Sequence, residues 1–325
     1  MHQHDDQDNA AYVRRVHDKG LQFDLRTMSR RRLLAAFSGA GTLALIGGVA
    51  ACGTADAETT TAGATTAATS ASAASGTGTE VASETAGPYP ADGSNGPDVR
   101  TIDGVVRKDI RTSFGDASGT AEGVPLEFSL VVQDLNGAAI TGAAVYAWHC
   151  DRDGNYSLYS TGITDQNYLR GIQETDSSGT ATFTSIFPAC YSGRWPHIHF
   201  EVYSSLANAT SGDGPIVKTS QIAIPEDIAD TVYATDGYSK SVTNMSQVTL
   251  ATDNVFGDDS AATELATVTG SVSAGYVATL TIAVDPSGEE SGGGAAPSGG
   301  GGPGGTPPSG APGGGGTPPS GAPPA

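Results

Sequence analysis

The chain has 325 residues and a formal net charge of −19. So large an acidic excess argues against a nucleic-acid partner, because phosphate backbones are bound through clustered Lys and Arg side chains. Many of the 45 glycines and 18 prolines are concentrated near the C-terminus, so roughly 200 residues remain for a folded core, which suffices for one domain.

The first 27 residues are polar and show no periodicity, and Met28 then stands directly before Ser-Arg-Arg-Arg-Leu-Leu at 29–34. We interpret Met28 as a candidate for the true start of the protein. The 29–34 run resembles a twin-arginine export motif, a route that carries folded proteins. We therefore expect the protein to be exported to the cell surface or the extracellular space.

An apolar run follows at 33–51 and ends directly before Cys52. Basic residues, an apolar stretch and small residues ahead of a cysteine resemble a lipoprotein signal, in which Cys52 would be lipidated and become the new N-terminus. The alternative is a transmembrane anchor, since the run is nearly long enough to span a bilayer. Its glycines and terminal cysteine favour processing, so residues 1–52 are predicted to be an export signal, with membrane contact only through a lipid anchor.

Two flanking segments lack the large apolar side chains that a core requires. Residues 53–84 are mostly Ala, Thr, Ser and Gly, and residues 286–325 are mostly Gly, Pro, Ser and Ala in a repeated motif. Such compositions cannot offset the entropy lost on folding, so we predict a flexible linker and a disordered tail. The folded domain is expected between them, at residues 85–285.

The middle of the chain is rich in short β-type stretches. They are β-branched or alternating and are bounded by Gly, Asp, Asn and Pro, which is typical of strands joined by turns. The predicted strands are 126–132, 143–149, 179–186, 197–203, 219–224, 247–252 and 277–284. One or two helical turns are expected at 225–231. This pattern predicts an all-β fold, a β-sandwich of Ig-like or prealbumin-like type.

Three of the six histidines lie in the predicted export segment, which leaves His149, His197 and His199 for the domain. Residues i and i+2 of a strand point to the same face. His197 and His199 therefore present two imidazoles side by side, a spacing suited to one metal ion. Two histidines alone are a weak indication, because hydrogen-bonded histidines on a half-buried strand show the same pattern. We expect His149 to be structural.

Two tyrosines strengthen the metal-site hypothesis. Tyr191 lies six residues before His197, and Tyr156 lies in the run Asp-Gly-Asn-Tyr-Ser at 153–157. Together with the two histidines they form a hard N2O2 donor set. Phenolate oxygen suits a trivalent ion such as Fe(III), which can hold a tyrosine deprotonated.

Several motifs resemble those of the intradiol ring-cleavage dioxygenases, the family that acts on catechol- or protocatechuate-type substrates. These motifs are Gly87-Pro88-Tyr89, 144–149 with 151–157, 169–171, 175–183, 188–191 and Arg194 with 197–200. The spacing of Tyr, Tyr and His-X-His, with an arginine three residues before the first histidine, is specific. The resemblance implies a β-sandwich with a metal site at its edge, built from loops and one strand.

The resemblance also implies what individual residues do. Tyr156, Tyr191, His197 and His199 would bind a non-haem Fe(III) ion. The enzyme would use O2 to cleave a catechol-type aromatic diol between its two hydroxylated carbons. The product would be a cis,cis-muconate-type diacid.

Further residues match positions near the family's substrate. Arg194 matches the active-site arginine, whose charge would stabilise negative charge on the substrate ring; a surface salt bridge is the alternative. Tyr191 would take up a substrate proton. Gln221 matches a glutamine near the substrate, although its separation from His199 is longer than in the family pattern. Tyr89 would either line the pocket or pack in the core.

Two features near these motifs affect the shape of the site. Trp195 stands where the family commonly has proline, which leaves the local pocket shape open. Cys150 and Cys190 each lie close to a proposed ligand tyrosine. An even pair of cysteines in an exported domain indicates a disulfide, so we expect a Cys150–Cys190 bridge. Two buried thiols are the alternative.

Two other classes of function compete with the iron enzyme. The first is a cell-surface β-sandwich binding module whose metal site is lost or structural. The four intact ligand positions and Arg194 argue against it, and iron content separates the two hypotheses. The second is a zinc or copper hydrolytic site, which two tyrosine ligands disfavour.

Overall fold

The computed structural model describes residues 78–290. The predicted export signal with Cys52, most of the 53–84 linker and the tail beyond residue 290 lie outside the described residues. Among the described residues, no helix combines the length and the apolar character that crossing a membrane requires.

Eight strands in two sheets dominate the described part of the chain. They are β1 (Pro125–Asp134), β2 (Ala144–Trp148), β3 (Arg170–Glu174), β4 (Thr180–Ile186), β5 (His197–Tyr203), β6 (Ile216–Ala223), β7 (Thr267–Ser271) and β8 (Gly275–Val284). One sheet has the order β4-β1-β8-β7 and the other β3-β2-β5-β6. Neighbouring strands are antiparallel except β1 and β8, which run parallel.

Helices are short and mostly follow β6. They are α1 (Leu206–Thr210), α2 (Glu226–Tyr233), α3 (Ser239–Met245) and the 3-10 turns Leu250–Thr252 and Phe256–Asp258. The prediction of a mostly β fold is confirmed, and α2 forms where one or two helical turns were expected. The type of sandwich stays a prediction.

One hydrophobic core is shared by the two sheets. Alternate residues of β1 and β8 are buried, among them Phe128 and Leu280, and they form one cluster with Ile198 of β5. Burial with a period of two arises because successive strand side chains point to opposite faces. By the same alternation, His197 and His199 point to the face of β5 that is turned away from this core.

That outer face of the β3-β2-β5-β6 sheet is covered as well, which explains why every residue of β2 and β5 is buried. A second hydrophobic cluster joins Tyr146 and Trp148 of β2 to Ala86 and Ala91. We call residues 85–91 the roof segment. The candidate site therefore lies between a sheet face and the roof segment, shielded from water.

The sequence located most strands well. β5 has its predicted bounds, and β1, β2, β4, β6 and β8 lie within three residues of theirs. The strand predicted at 247–252 is wrong: the Thr249 hydroxyl accepts a hydrogen bond from the Thr252 amide and caps a 3-10 turn instead. Strands β3 and β7 and helices α1 and α3 were not predicted.

The folded part extends beyond the predicted boundaries at 85 and 285. Val81 belongs to the core cluster, and its amide donates to the Ala283 carbonyl over 2.9 Å. The buried Lys218 Nζ lies 2.6 Å from Glu80 Oε1 and 3.2 Å from Glu290 Oε1. Both ends of the described segment are therefore fastened to β6.

Candidate metal centre

The four predicted ligands come from three parts of the chain and meet on the outer face of the β3-β2-β5-β6 sheet. His197 and His199 lie at the start of β5, Tyr191 in the loop between β4 and β5, and Tyr156 in the loop between β2 and β3. Ring centroids are 4.7 Å apart for the two histidines, 5.4 Å for Tyr191 and His197, and 6.2 Å for Tyr156 and His199. The fold therefore assembles the set that the sequence singled out.

The two imidazoles approach through their Nε2 atoms, which are 3.1 Å apart. His197 Nδ1–H donates to the Trp195 carbonyl oxygen, so the Nε2 lone pair faces the site. Burial is the main reason why the pKa of each histidine lies well below its usual value, and the Arg194 charge adds to the effect. A neutral imidazole binds a metal through its lone pair, and a hydrogen bond at the other ring nitrogen fixes the tautomer, as it does for His197.

Tyr156 is 2% exposed, and its hydroxyl lacks a hydrogen-bond partner among the described residues. Burial, with a further contribution from Tyr191, raises the pKa of Tyr156 well above its usual value. Buried hydroxyl groups are nearly always hydrogen-bonded. A cation bound between Tyr156 and the histidines would provide the partner that this oxygen lacks.

Tyr191 is only half-buried, unlike the other three candidate ligands. Its hydroxyl lies 3.2 Å from His197 Nε2. The loop that carries Tyr156 packs closely against it, because a Cβ added at Gly154 would lie 3.1 Å from the Tyr191 Cβ. Tyr191 is thus the candidate ligand nearest to solvent.

Two neighbours hold the His199 ring. Trp148 pairs with His199 across β2 and β5, and the two rings stack 5.0 Å apart and nearly parallel. Gly87 of the roof segment has a φ of +69°, and a Cβ at that position would lie 3.3 Å from His199 Cε1. Glycine accepts this backbone conformation without strain. The Gly-Pro-Tyr motif therefore brings main chain against a candidate ligand.

Arg170 ties the roof segment to the Tyr156 loop, a role that the sequence analysis missed. Its buried guanidinium donates to the carbonyl oxygens of Tyr89 (2.9 Å), Pro90 (3.0 Å) and Ser157 (3.0 Å). The Tyr89 ring packs 4.9 Å from the Tyr156 ring. Tyr89 therefore borders the site and packs against the second cluster at the same time.

Arg194 is buried beside the site, so the alternative of a surface salt bridge is wrong. Its Nη2 donates to Gln221 Oε1 over 2.7 Å, and Gln221 Nε2 donates to the Thr85 carbonyl over 2.8 Å. Gln221 pairs directly with His199 across β5 and β6. The long separation between these two residues along the chain therefore does not keep Gln221 away from the site.

A residue without any predicted role also reaches this group. Asp253 is buried, and its Oδ2 accepts a hydrogen bond from Arg194 Nε over 3.0 Å. The two residues are 59 positions apart in the chain. No local pattern could have connected them, and the stretch before Asp253 was taken for a strand.

The predicted Cys150–Cys190 disulfide is wrong, because both residues are free, buried thiols. They belong to different hydrophobic clusters, Cys150 to the one beneath the roof segment and Cys190 to the main core. The Cys150 thiol points to the Ala189 carbonyl (3.6 Å) and the Cys190 thiol to the Arg194 carbonyl (3.3 Å). Burial raises the pKa of Cys190 to about 12, which makes it an unreactive thiol.

His149 and Trp195 lie outside the centre. Both ring nitrogens of His149 are hydrogen-bonded, one to the Cys150 carbonyl and one to the Ser185 hydroxyl, each over 2.7 Å. The Trp195 side chain packs in the main core, and its indole N–H donates to the Ile224 carbonyl over 2.8 Å. The departure from the family pattern at Trp195 is therefore accommodated in the core.

The donor set fits a hard cation. Over residues 78–290, no three His, Cys, Asp or Glu side chains are grouped so that they could hold a metal, so this site depends on its phenols. Two neutral imidazoles and two tyrosine oxygens are donors that suit trivalent iron. The unpartnered Tyr156 hydroxyl and the two facing Nε2 atoms lie where such an ion would bind.

Comparison with known proteins shows similarity to dioxygenases. The model of a family described as "Dioxygenase" matches residues 95–209, which contain all four candidate ligands. The chlorocatechol 1,2-dioxygenase of Rhodococcus opacus is 41% identical over 66 residues, which make up 20% of this chain and 26% of that protein. The match therefore spans about a quarter of that relative's length.

A solved intradiol ring-cleavage dioxygenase from Tetranychus urticae has the same fold. The TM-score is 0.52 at 24% identity, and the match covers 65% of this chain and 97% of that one. Together with the family match, it confirms the resemblance of this chain to the intradiol ring-cleavage dioxygenases.

Proposed function

We propose that the protein is a non-haem Fe(III) dioxygenase that cleaves a catechol-type diol with O2 in the intradiol manner. One observation carries the proposal: two neutral imidazoles and two phenols converge at one shielded spot, and the Tyr156 hydroxyl has no hydrogen-bond partner among residues 78–290. The names of the relatives support the same reaction, since they are a chlorocatechol 1,2-dioxygenase and an intradiol ring-cleavage dioxygenase.

The four ligand side chains have separable tasks. Tyr156, Tyr191, His197 and His199 would hold the ion through their Oη and Nε2 atoms. When bound, Fe(III) would lower the pKa of the phenols and withdraw electron density from a catecholate, which makes the ring reactive towards O2. The fully buried Tyr156 stays in place, whereas the half-buried Tyr191 is positioned to accept a substrate proton on Oη.

Arg194 supplies positive charge next to the ligands. Burial is the main cause of the low pKa of His197, and the Arg194 charge adds to it, which supports a role for this charge at the site. Negative charge that develops on the substrate ring would be stabilised by this guanidinium. The roof segment excludes water from the same space, and electrostatic interactions are stronger where water is excluded.

The reaction balances without any further reagent. Both atoms of O2 enter the product, and the bond between the two hydroxylated carbons breaks. Catechol and O2 together have the atomic composition of cis,cis-muconic acid. The chain therefore needs a binding position for the diol and access for O2, but no external reductant.

A visible absorption spectrum of the iron-loaded full chain tests the proposal. We expect a broad tyrosinate-to-iron band that moves to longer wavelength when catechol is added without oxygen. Admission of O2 should then yield the muconate-type diacid, which chromatography detects. A protein that stays colourless after iron reconstitution would contradict the proposal and favour the cell-surface binding module.

Two substitutions assign the band to its tyrosines. Tyr156→Phe and Tyr191→Phe should each weaken or shift it, because each removes one phenolate donor. Tyr168→Phe is the control, since the hydroxyl of this neighbouring buried tyrosine makes only a 3.5 Å contact with Asp151. Equal spectra for all three variants would contradict the ligand assignment.

We also propose that the chain is exported by the twin-arginine route and anchored through lipidated Cys52. The motifs at 29–34 and 33–52 support this proposal. Cell fractionation tests it: the full chain should sediment with membranes and Cys52→Ser should not. A Cys52→Ser protein that still sediments would argue for the transmembrane alternative.

A further inference from the structure

We propose that Asp253 is a positioning residue for the reaction, and that it holds the Arg194 guanidinium in the orientation that acts on the substrate. This inference rests on the proposed function and adds a residue that lies well beyond the ligand-bearing stretch of the chain. The juxtaposition that carries it is a fully buried carboxylate against a fully buried guanidinium beside the candidate ligands.

Hydrogen bonds at both oxygens fix the orientation of the Asp253 carboxylate. Oδ2 accepts from Arg194 Nε (3.0 Å) and from the Trp195 amide (2.6 Å). Oδ1 accepts from the amides of Val255 (2.8 Å) and Phe256 (3.0 Å). Rotation of the carboxylate would break bonds at both oxygens, so the group is held rigidly.

The guanidinium is held through its Nε and Nη2 atoms. Asp253 binds Nε, and Gln221 Oε1 accepts from Nη2 over 2.7 Å. Gln221 is itself tied to the Thr85 carbonyl in the roof segment. A planar group that is bound at two corners has one orientation, and here that orientation depends on Asp253 as much as on Gln221.

The same carboxylate also places an aromatic ring next to the site. The Phe256 ring centroid lies 5.8 Å from the Arg194 guanidinium carbon and 6.4 Å from the His197 ring centroid. The Phe256 amide is one of the four donors to Asp253. Loss of the carboxylate would therefore disturb the guanidinium and the ring that packs against it together.

The burial of both charges explains why Arg194 needs Asp253 as its partner. The side chains of Arg194 and Asp253 are 2% and 0% exposed. A buried cation that loses its counter-charge is strongly destabilising, so without Asp253 the guanidinium should turn towards water or another acid. Asp253 thus keeps the charge of Arg194 inside the site as well as directing it.

Positioning predicts a particular kinetic pattern. Arg194 acts on charge that develops in the transition state, so a misplaced Arg194 should lower kcat and leave KM nearly unchanged. A displacement of about 1 Å can lower a rate on the order of 10²-fold. Asp253→Ala should reach this range. Asp253→Asn keeps the side-chain volume but sets an N–H group against N–H donors, and about a tenfold loss is expected.

Thr249→Ala provides the matched control. The exposed Thr249 hydroxyl caps the 3-10 turn directly before Asp253, where it accepts from the Thr252 amide over 3.2 Å. The variant loses a local hydrogen bond of the same segment and leaves the Arg194 pair intact. Its kcat should equal that of the unaltered iron-loaded full chain, and all variants should keep the resting colour because the ligands are untouched.

A second measurement needs neither iron nor turnover. Urea unfolding of the iron-free chain is compared for Asp253→Ala, Arg194→Met and the double variant. Asp253→Ala should lower the urea midpoint much more when Arg194 is present than in the Arg194→Met background, because only then is a buried cation left unpaired. Equal shifts in both backgrounds would overturn the proposal.

The outcomes separate the two claims. If the unaltered protein cleaves catechol and both Asp253 variants behave like Thr249→Ala, the positioning role is wrong and the proposed function stands. If Asp253→Ala changes KM alone, the residue acts in binding and the positioning role is again wrong. An iron-loaded protein without any catechol cleavage would overturn the proposed function, and the positioning role with it, whatever the unfolding data show.

Discussion

The Tyr156 hydroxyl should cost stability as long as no ion is bound. It is buried without a hydrogen-bond partner among residues 78–290, and such a group forfeits the bonds it made to water in the unfolded chain. In the iron-free protein, Tyr156→Phe should therefore leave the free energy of unfolding unchanged or raise it by about 1 kcal/mol. Urea titration measures this directly.

Tyr146→Phe is the matched control for that prediction. Tyr146 is equally buried, but its hydroxyl donates to the Pro90 carbonyl over 2.7 Å. Its removal leaves a carbonyl without this bond and should lower the free energy of unfolding by about 1 kcal/mol. If both variants lose stability equally, the Tyr156 hydroxyl has a partner in solution, and the reason for placing a cation beside it weakens.

His149 should make the iron-free fold sensitive to acid. Burial lowers the pKa of His149 from 6.5 to about 4, so the unfolded chain takes up a proton before the folded one does. The contribution of His149 to stability is therefore fully present above pH 6.5 and is lost as the pH drops from 6.5 towards 4, by on the order of 3 kcal/mol.

Urea midpoints measured across that pH range test the contribution of His149. His149→Gln should flatten the slope. The slope that remains combines His197 and His199, whose pKa values are also lowered, with the buried carboxyl groups of Glu201 and Glu264, whose raised pKa values act in the opposite direction. A variant with the same slope as the parent would show that His149 does not titrate in this range.

At the scale of elements, the roof segment depends on one glycine. Gly87→Ala would strain a φ of +69° and push a methyl to 3.3 Å from His199 Cε1. Gly142→Ala is the control, since Gly142 has a φ of +79° but no atom within 4 Å of an added Cβ. Both should lose roughly 1–2 kcal/mol of unfolding free energy through backbone strain.

The two glycine variants should differ at the metal. Only Gly87→Ala displaces a candidate ligand, so only this variant should bind iron more weakly and show a shifted charge-transfer band. The measurements are an iron titration and a visible spectrum. Identical iron affinities for the two variants would show that the roof segment does not press on His199 in solution.

Strand β5 shows what can be predicted from a sequence of this kind. Its β-branched and aromatic residues have strong strand propensity, and a period of two placed His197 and His199 on one face without any knowledge of the fold. The match of Tyr156 and Tyr191 to the family spacing then gave the remaining candidate ligands. Local pattern and motif together predicted four side chains that the fold does bring together.

The features that were not predicted depend on contacts between distant parts of the chain. β3 contains Arg170 and Gly171, which do not indicate a strand, and the polar β7 alternates only weakly in burial. The predicted Cys150–Cys190 disulfide was wrong because two cysteines that lie in neighbouring loops need not have thiols that face each other. Here the two side chains are buried in different hydrophobic clusters. Asp253 was not predicted because its contact with Arg194 joins residues that are 59 positions apart in the chain, and no local sequence pattern indicates such a contact.

For the whole molecule, the ends of the folded segment contribute to its stability. Val81 is buried in the main core, and Lys218 joins Glu80 to Glu290. A fragment limited to the predicted domain, residues 85–285, keeps Lys218 but lacks Val81, Glu80 and Glu290, and so loses all of these contacts. It should unfold at lower urea concentration than residues 78–290, by about 2–4 kcal/mol of unfolding free energy.

A single substitution separates the contribution of Val81 to this loss of unfolding free energy from that of the Lys218 ion pairs. Val81→Ala in the longer fragment removes only buried methyl groups and should account for roughly 1–2 kcal/mol of it. The remainder would belong to the lost ion pairs of Lys218 with Glu80 and Glu290. Equal midpoints for the two fragments would contradict a structural role for residues 78–84 and 286–290.

Glu80 and Glu290 both pair with the Lys218 ammonium group, which has a consequence for protein engineering. Because the chain enters and leaves the domain at nearly the same point, its ends could be joined by a short linker and new termini opened in the exposed turn between β7 and β8. For the same reason the domain could be inserted into a surface loop of a host protein without separating the ends of that loop. The colour of the proposed iron centre would then report, in the intact fusion, that the insert has folded.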